Sequence, residues 1–429
     1  MQPGPLRRAV WLELAVACIA GAGAAQQPAL VTLRPAELAR ARTRLERGDP
    51  LLRPALDRLL AEADSALDAG PFSVMDKTRL PPSGDRHDYI SLAPYWWPDS
   101  SKPDGLPYVR KDGQRNPETR KDYDSPRLGR MIGAVNTLAL AYYFTGKEPY
   151  AQHAATLLRT WFLDPATRMN ANLEYAQMIP GITQGRGTGI IDTRELPRLL
   201  DDMRLLEGST SWTARDRQGM REWLTGYFQW LRTSRNGRDE FAAPNNHGSW
   251  YDGQTAALAL FLGRPELARE IIESSKTHRI ARQIEPDGSQ PLELARTRSL
   301  DYSVFNLEAL MQLAELGRTV GVDLWRYEAP GGGGIRKALD YLAPYADTSR
   351  KWPGHQITPV SPSRLLAVLR LGELAYGDPR YRASIERLPA PLARSQRVQL
   401  LYPPPEGTAS APADSRPLSP ADSRDDEIR

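Results

Sequence analysis

From Leu33 to about residue 376, apolar residues recur three and four positions apart, the spacing that lines one face of an α-helix. Leu38, Leu45, Leu52, Ala55, Leu59 and Leu60 begin the series, broken by Pro50 and Pro54. Leu128, Met131, Ile132, Val135, Leu138, Ala139 and Tyr142 form one stripe. It opens at Ser125-Pro126, where serine is expected to cap the helix and proline to start it, and it stops at Gly146. Another helix is expected over 149–163. The pattern returns at about 193–206, 213–234, 248–262, 264–277, 299–318, 334–345 and 361–376. Alternation suited to a sheet is expected only around 280–294. Consecutive antiparallel helices leave two architectures open, a superhelical stack or a closed α/α toroid. The absence of a fixed-period sequence repeat counts against a regular solenoid.

The ends of the chain read differently. Arg7 and Arg8 precede a small, apolar run from Ala9 to Ala25, with Glu13 inside it. Ala22-Gly23-Ala24-Ala25 resembles a signal-peptidase site, so residues 1–25 are expected to be a signal peptide and the protein periplasmic or secreted. No later stretch is long and apolar enough to span a membrane. Cys18, the only cysteine, lies in that leader, which excludes disulfides, thiolate metal sites and a cysteine nucleophile from the mature protein. At the other end, Pro-Ala-Asp-Ser-Arg occurs at 412–416 and again at 420–424. Residues 401–429 are expected to be a disordered tail, leaving 26–400 as the folded body. The formal net charge of +4 is mild and suits an anionic partner without demanding one. No nucleic-acid partner is expected, and nothing in the chain indicates an oligomeric state.

Two long irregular segments interrupt the helices, and long structured loops tend to carry function. Residues 71–124 hold Pro94-Tyr95-Trp96-Trp97-Pro98-Asp99, and residues 164–192 hold Gly181, Gly185, Gly187 and Gly189 around Arg186. Two further clusters stand at helix entries: Pro244-Asn245-Asn246-His247-Gly248-Ser249-Trp250 and Glu293-Leu294-Ala295-Arg296-Thr297-Arg298-Ser299-Leu300-Asp301-Tyr302. Taken singly, the first is a helix cap beside a histidine. The second is a surface Glu293–Arg296 pair with Tyr302 facing the core.

If both face one cavity, they supply an amide, an imidazole, a guanidinium and a phenol. That set suits β-elimination from a uronic acid. The C5 proton is barely acidic while the neighbouring carboxylate keeps its charge. An enzyme must therefore neutralise that carboxylate, remove the proton and protonate O4 as it leaves. Tyr302 can serve as acid or base. A free phenol has a pKa of about 10, and a nearby guanidinium favours its ionised form.

In this order along the chain, Ala93-Pro94-Tyr95-Trp96-Trp97-Pro98-Asp99, Lys111-Asp112-Gly113, Asn116-Pro117-Glu118 and Asn172-Leu173-Glu174-Tyr175-Ala176-Gln177 are followed by Gly185-Arg186-Gly187-Thr188-Gly189-Ile190-Ile191-Asp192, Asn245-Asn246-His247 and Glu293-Leu294-Ala295-Arg296. With that series the sequence resembles the alginate lyase superfamily of polysaccharide lyases over roughly residues 30–390. The order of the motifs is the specific signal. The resemblance implies an all-α fold, an (α/α) toroid or incomplete α/α barrel of antiparallel helical hairpins, whose cleft takes an anionic polysaccharide. It implies catalytic roles for Asn246, His247, Arg296 and Tyr302. Gln177, Arg186, Tyr95, Trp96, Trp97, Asn245 and Trp250 are the expected substrate-binding residues. The expected substrate is a 1,4-linked polyuronate, alginate first and glucuronan as the alternative. Asp301 departs from the family pattern, where histidine often precedes the tyrosine, which leaves the reaction type firmer than the substrate.

No metal or other cofactor is expected. His87, His153, His278 and His355 lack ligand spacing, and Gly331–Gly334 lacks the lysine and hydroxyl residue of a phosphate loop. Two other classes remain open. An inverting glycoside hydrolase would need two separated carboxylic acids, for which Asp88, Asp99, Asp192 and Asp252 are candidates. A non-catalytic binder of acidic glycans would need only the aromatic loop and a basic cleft.

Overall fold

The structure is a computed structural model and describes residues 29–361 and 363–406. The expected signal peptide at 1–25 and the repeated segments at 412–416 and 420–424 lie outside the described residues.

Helices α1 (Pro35–Glu46) and α2 (Arg53–Ala66) are separated at Pro50, and α3 (Ser125–Thr145) buries the expected apolar stripe from Leu128 to Ala139, with Tyr142 half-buried. Each fully buried aliphatic side chain of such a stripe contributes about 1.5–3 kcal/mol relative to exposure. Gly146 ends α3 at φ 68°, its N–H bonding Tyr142 O at 2.7 Å. After α4 (Glu148–Leu158) come α5 (Leu196–Leu205), α6 (Ala214–Thr233), α7 (Arg235–Phe241), α8 (Asn246–Phe261) and α9 (Pro265–Ser275). Two short pieces follow, α10 (Ala281–Gln283) and α11 (Pro291–Leu294). The series closes with α12 (Ser299–Thr319), α13 (Ile335–Leu342), α14 (Ser363–Tyr376), α15 (Pro379–Ile385), α16 (Ala390–Ser395) and α17 (Val398–Leu401).

The inner helices pack side by side as α2, α3, α5, α8, α12 and α14, and α16 bridges α14 back to α2. This ring is an α/α toroid; α4, α9 and α13 lean on it from outside. Its base is crossed by both ends of the described chain. Thr32 and Leu33 donate their N–H groups to buried Asp201 on α5 at 2.9 and 2.8 Å, and Val31 donates there too. Arg34 forks onto Glu315 of α12 at 2.6 Å, and α17 packs against α1, α2 and α14. Among the described residues no helix is long and apolar enough to cross a membrane.

Three expectations need correction. Ser125 is the first helical residue of α3 rather than its cap. Asp124 holds the cap position but makes no capping bond, because its carboxylate is drawn to Ile90 N–H at 2.8 Å and Lys77 Nζ at 3.1 Å. Residues 280–294 form no strand; they are α10, a turn at Pro286–Ser289 and α11. The strands lie in the two irregular segments instead, where β1 (Ile90–Leu92) pairs in parallel with β4 (Tyr175–Met178) and β2 (Trp96–Trp97) pairs antiparallel with β3 (Val109–Arg110). Finally, ordered packing passes residue 400: Leu401 is buried, and Pro403 and Pro404 carbonyls accept from Arg40 and Arg44 of α1.

Candidate active site

The first turns of α3, α8, α12 and α14 line one cavity of about 1060 Å³, walled further by the strand-bearing loops and the segment before α5. Its lining holds twelve arginines, no lysine and four carboxylates, Glu62, Asp192, Glu195 and Asp301. An excess of that size focuses a positive field into the cleft and favours a polyanion. Guanidinium groups also match carboxylates with two parallel hydrogen bonds.

Asn245 caps α8, its side chain accepting from His247 N–H, so the two asparagines divide their work. Asn246, one residue on, is buried and donates from Nδ2 to both oxygens of Glu293, at 3.0 and 2.8 Å. Its backbone N–H adds a third bond to Glu293 at 2.8 Å. Burial raises the Glu293 pKa against these bonds. His247 is half-buried and meets Glu240 of α7 through Nδ1 at 2.7 Å. A carboxylate there accepts from Nδ1–H and leaves Nε2 as the nitrogen for chemistry. Glu240 has no sequence signal, since the run Arg238-Asp239-Glu240 reads as a solvated helix face.

Arg296 does not pair with Glu293. It binds Asp112 of the first long loop, with Nη2 at 2.7 Å and Nε at 3.1 Å. Thr297 N–H and Oγ1 also reach that carboxylate, both at 3.1 Å. Burial opposes the charge on Asp112, but these bonds hold its pKa well below the usual carboxylate range. Burial likewise opposes the charge on Arg296, yet Asp112, Tyr302 and Tyr95 raise its pKa on balance. Gly113 makes this approach possible: at φ 72°, a Cβ there would stand 2.3 Å from Thr297 Oγ1.

The Arg296 guanidinium carbon lies 3.7 Å above the centre of the Tyr302 ring, and the Tyr302 hydroxyl donates to that of Tyr95 at 2.6 Å. The expected lowering of the Tyr302 pKa is not found. Burial and the neighbouring Tyr95 raise it, overcoming Arg296. The cation covers the face of the ring, and the Asp112 charge acts weakly in the opposite sense. Tyr302 is therefore a protonated phenol at rest.

Gln177 also lines the cavity, held at φ 48° in the left-handed region that a non-glycine residue rarely adopts. Ser91 Oγ accepts its N–H at 2.7 Å, Asp192 accepts from Nε2 at 3.2 Å, and Arg186 Nη2 donates to Oε1 at 2.9 Å. Burial lowers the Arg186 pKa. Tyr95, Trp96, Arg186 and Asn245 join the same wall, along with Asn246, His247, Arg296 and Tyr302.

Two expected binding residues are elsewhere. Strand alternation turns Trp97 away from Trp96; Trp97 donates from Nε1 to Gln114 O at 2.9 Å and lies under Lys111. Trp250 is buried behind the wall, 5.0 Å from the ring of Phe305, which takes the cavity position instead. Arg115 and Arg130 were not singled out in the sequence, where scattered arginines carry no pattern. Both line the cavity without a carboxylate partner among the described residues. Of the four candidate hydrolase acids only Asp192 lines the cavity, engaged by Tyr89, Ser91 and Gln177. Asp88 is bonded to Ser83 and Asn170, Asp99 caps a loop at Ser101, and Asp252 is paired with Arg279. No group of three or more His, Cys, Asp or Glu suited to a metal ion occurs among the described residues.

The family model described as alginate lyase matches residues 73–352. Among solved structures, the chain is similar to an alginate lyase from Bacteroides ovatus, with 42% identity and a TM-score of 0.83 over 87% of this chain and 99% of that one. It is also similar in fold to alginate lyase A1-III from Sphingomonas species A1, with 19% identity and a TM-score of 0.55 over 88% and 98% of the two chains. A variant of A1-III complexed with tetrasaccharide gives 18% identity and a TM-score of 0.57 over 86% and 95%. No curated protein matches the chain.

Proposed function

The chain belongs to the alginate lyase family and is a polysaccharide lyase, and from this premise we propose that it depolymerises alginate by β-elimination. The observation that carries the site assignment is the meeting of Tyr302, His247, Arg296 and Asn246 on one arginine-lined cavity. Mannuronate-containing stretches are the preferred substrate in this reading. Glucuronan, also a 1,4-linked polyuronate, presents the same carboxylate to the same groups. Action in the periplasm or outside the cell goes with the leader-like run at Ala9–Ala25.

Arg296 offsets the charge of the uronate carboxylate, which makes the C5 proton removable, and Asn246 can add a donor there once its Nδ2 leaves Glu293. A base takes that proton, the C5–H electrons form the C4=C5 bond, and the C4–O4 bond breaks. O4 receives a proton. Tyr302, protonated at rest, is suited to supply it, and His247 Nε2 is suited to act as base because Nδ1 is turned to Glu240. If the base is instead on the same face as the leaving group, Tyr302 must first lose its proton.

The test is ultraviolet absorbance of the 4,5-unsaturated product with alginate, polymannuronate, polyguluronate and glucuronan as substrates. Tyr302→Phe is expected to lower turnover by at least about 100-fold while substrate still binds. Undiminished elimination by that variant overturns the site. Reducing ends without the unsaturated product would point to hydrolysis.

A further inference from the structure

Asp301, where the family pattern often has histidine, is unused by the chemistry above. It stands immediately before Tyr302, lines the same cavity and is buried, 5% exposed. Three segments converge on its carboxylate. Arg298, in the turn entering α12, donates from Nε at 3.0 Å, with Nη2 2.9 Å from the same oxygen. Gln356 donates from Nε2 at 2.8 Å while its Oε1 accepts from Leu300 N–H at 3.2 Å. Gln356 lies just past the stretch that matches the family model. Arg364 of α14 stands 3.8 Å from the other oxygen. A neutral imidazole has a single acceptor nitrogen, so a histidine at this position could not take Arg298 and Gln356 together.

The place of Arg298 is fixed by its neighbours. Its carbonyl accepts from Tyr302 N–H at 3.0 Å, so the two residues stand one helical turn apart, and both line the cavity. Its Cγ is 3.2 Å from where a Cβ on Gly113 would stand, next to Asp112, which holds Arg296. Arg296 and Arg298 thus meet at the Asp112–Gly113 turn, each with its own carboxylate. Asp301 takes the Nε and Nη2 edge of Arg298, which leaves Nη1 as the group Arg298 can offer a ligand. A polyuronate carries a carboxylate on every sugar. We propose that Asp301 is a positioning residue for substrate binding: it holds Arg298 so that Nη1 takes the carboxylate of the uronate next to the one at Arg296. The proposal rests on the polyuronate reading above. Neither residue takes part in proton transfer. Binding shared by ground and transition states raises KM when it is lost and leaves kcat in place. An i,i+3 pair that only steadied the first turn of α12 would give no such split.

Steady-state kinetics on polymannuronate reads that split. Asp301→Ala and Arg298→Gln are each expected to raise KM about tenfold, with kcat within about twofold. Together they are expected to raise KM about tenfold and not about a hundredfold, because Asp301 acts through Arg298. Asp301→Asn keeps the shape and loses the charge; it is expected to raise KM about threefold, and it carries the test where the alanine variant does not fold. An unchanged KM, a fall in kcat at constant KM, or additive effects of the two substitutions overturns the assignment. Calorimetry with a mannuronate hexamer in the Tyr302→Phe background repeats the cycle without turnover. If wild-type protein makes no unsaturated product while hexamer binding shows the same coupling, the lyase reading fails and the role of Asp301 stands.

Discussion

The behaviour of Tyr302 is decided by its surroundings more than by its residue type. Burial and the Tyr95 hydroxyl favour the neutral phenol, whereas a guanidinium alone would favour phenolate. Arg296 is in turn held by Asp112, so the loop carboxylate sets where the cation stands. Asp112→Ala is expected to release Arg296 and lower kcat/KM by roughly 10- to 100-fold through lost positioning. Steady-state kinetics beside a circular dichroism spectrum separates this from unfolding; unchanged kinetics would remove Asp112 from the site. The sequence nominated Asn246, His247, Arg296 and Tyr302 as chemistry-bearing, but their partners Glu293, Glu240, Asp112 and Tyr95 were not legible as partners. Three of those four pairs join residues far apart in the chain, and no local pattern records such a meeting.

At the scale of elements, the helices follow from periodicity and their ends from individual side chains. The start of α6 is a capping box in which Thr213 Oγ1 accepts from Asp216 N–H at 3.2 Å and Asp216 returns a bond to Thr213 N–H at 2.8 Å. Arg159, at the end of α4, forks onto the same carboxylate at 2.8 and 2.6 Å. Burial opposes the charge on Asp216, but the Arg159 and Thr213 bonds lower its pKa from 3.8 to about 2. A depressed carboxylate contributes stability above its unfolded pKa and loses it as pH falls through the folded value. Asp216→Asn is thus expected to cost about 1–2 kcal/mol at neutral pH, after allowance for solvent screening. In urea titrations that gap should narrow steadily as pH falls below about 4. A gap independent of pH would assign the effect to hydrogen bonding alone. Periodicity did not anticipate the short strands, because β2 and β3 have two residues each and are specified by pairing across a loop.

For the whole molecule, the ring must be closed at its base as well as at its seam. Asp201 does part of this by collecting three successive N–H groups, from Val31, Thr32 and Leu33, and the Thr32 hydroxyl. Asp201→Ala would leave those donors unsatisfied in a buried place, at an expected cost of about 3 kcal/mol or more. Thermal unfolding should show a lower Tm, with kcat of the folded protein at moderate temperature little changed because Asp201 does not line the cavity. An unchanged Tm would mean that the N-terminal segment is not part of the closure. By itself, the sequence determined the run of helices, since a three-and-four spacing is read within a few residues and each apolar stripe must find a partner to bury against. The ordered motifs also marked the family. Only the tertiary structure decided which side chains share the cavity: Trp96 enters and Trp97 does not, and Phe305 replaces Trp250. Those outcomes depend on distances between segments brought together by ring closure, and on the burial that closure imposes, neither of which is encoded in local spacing.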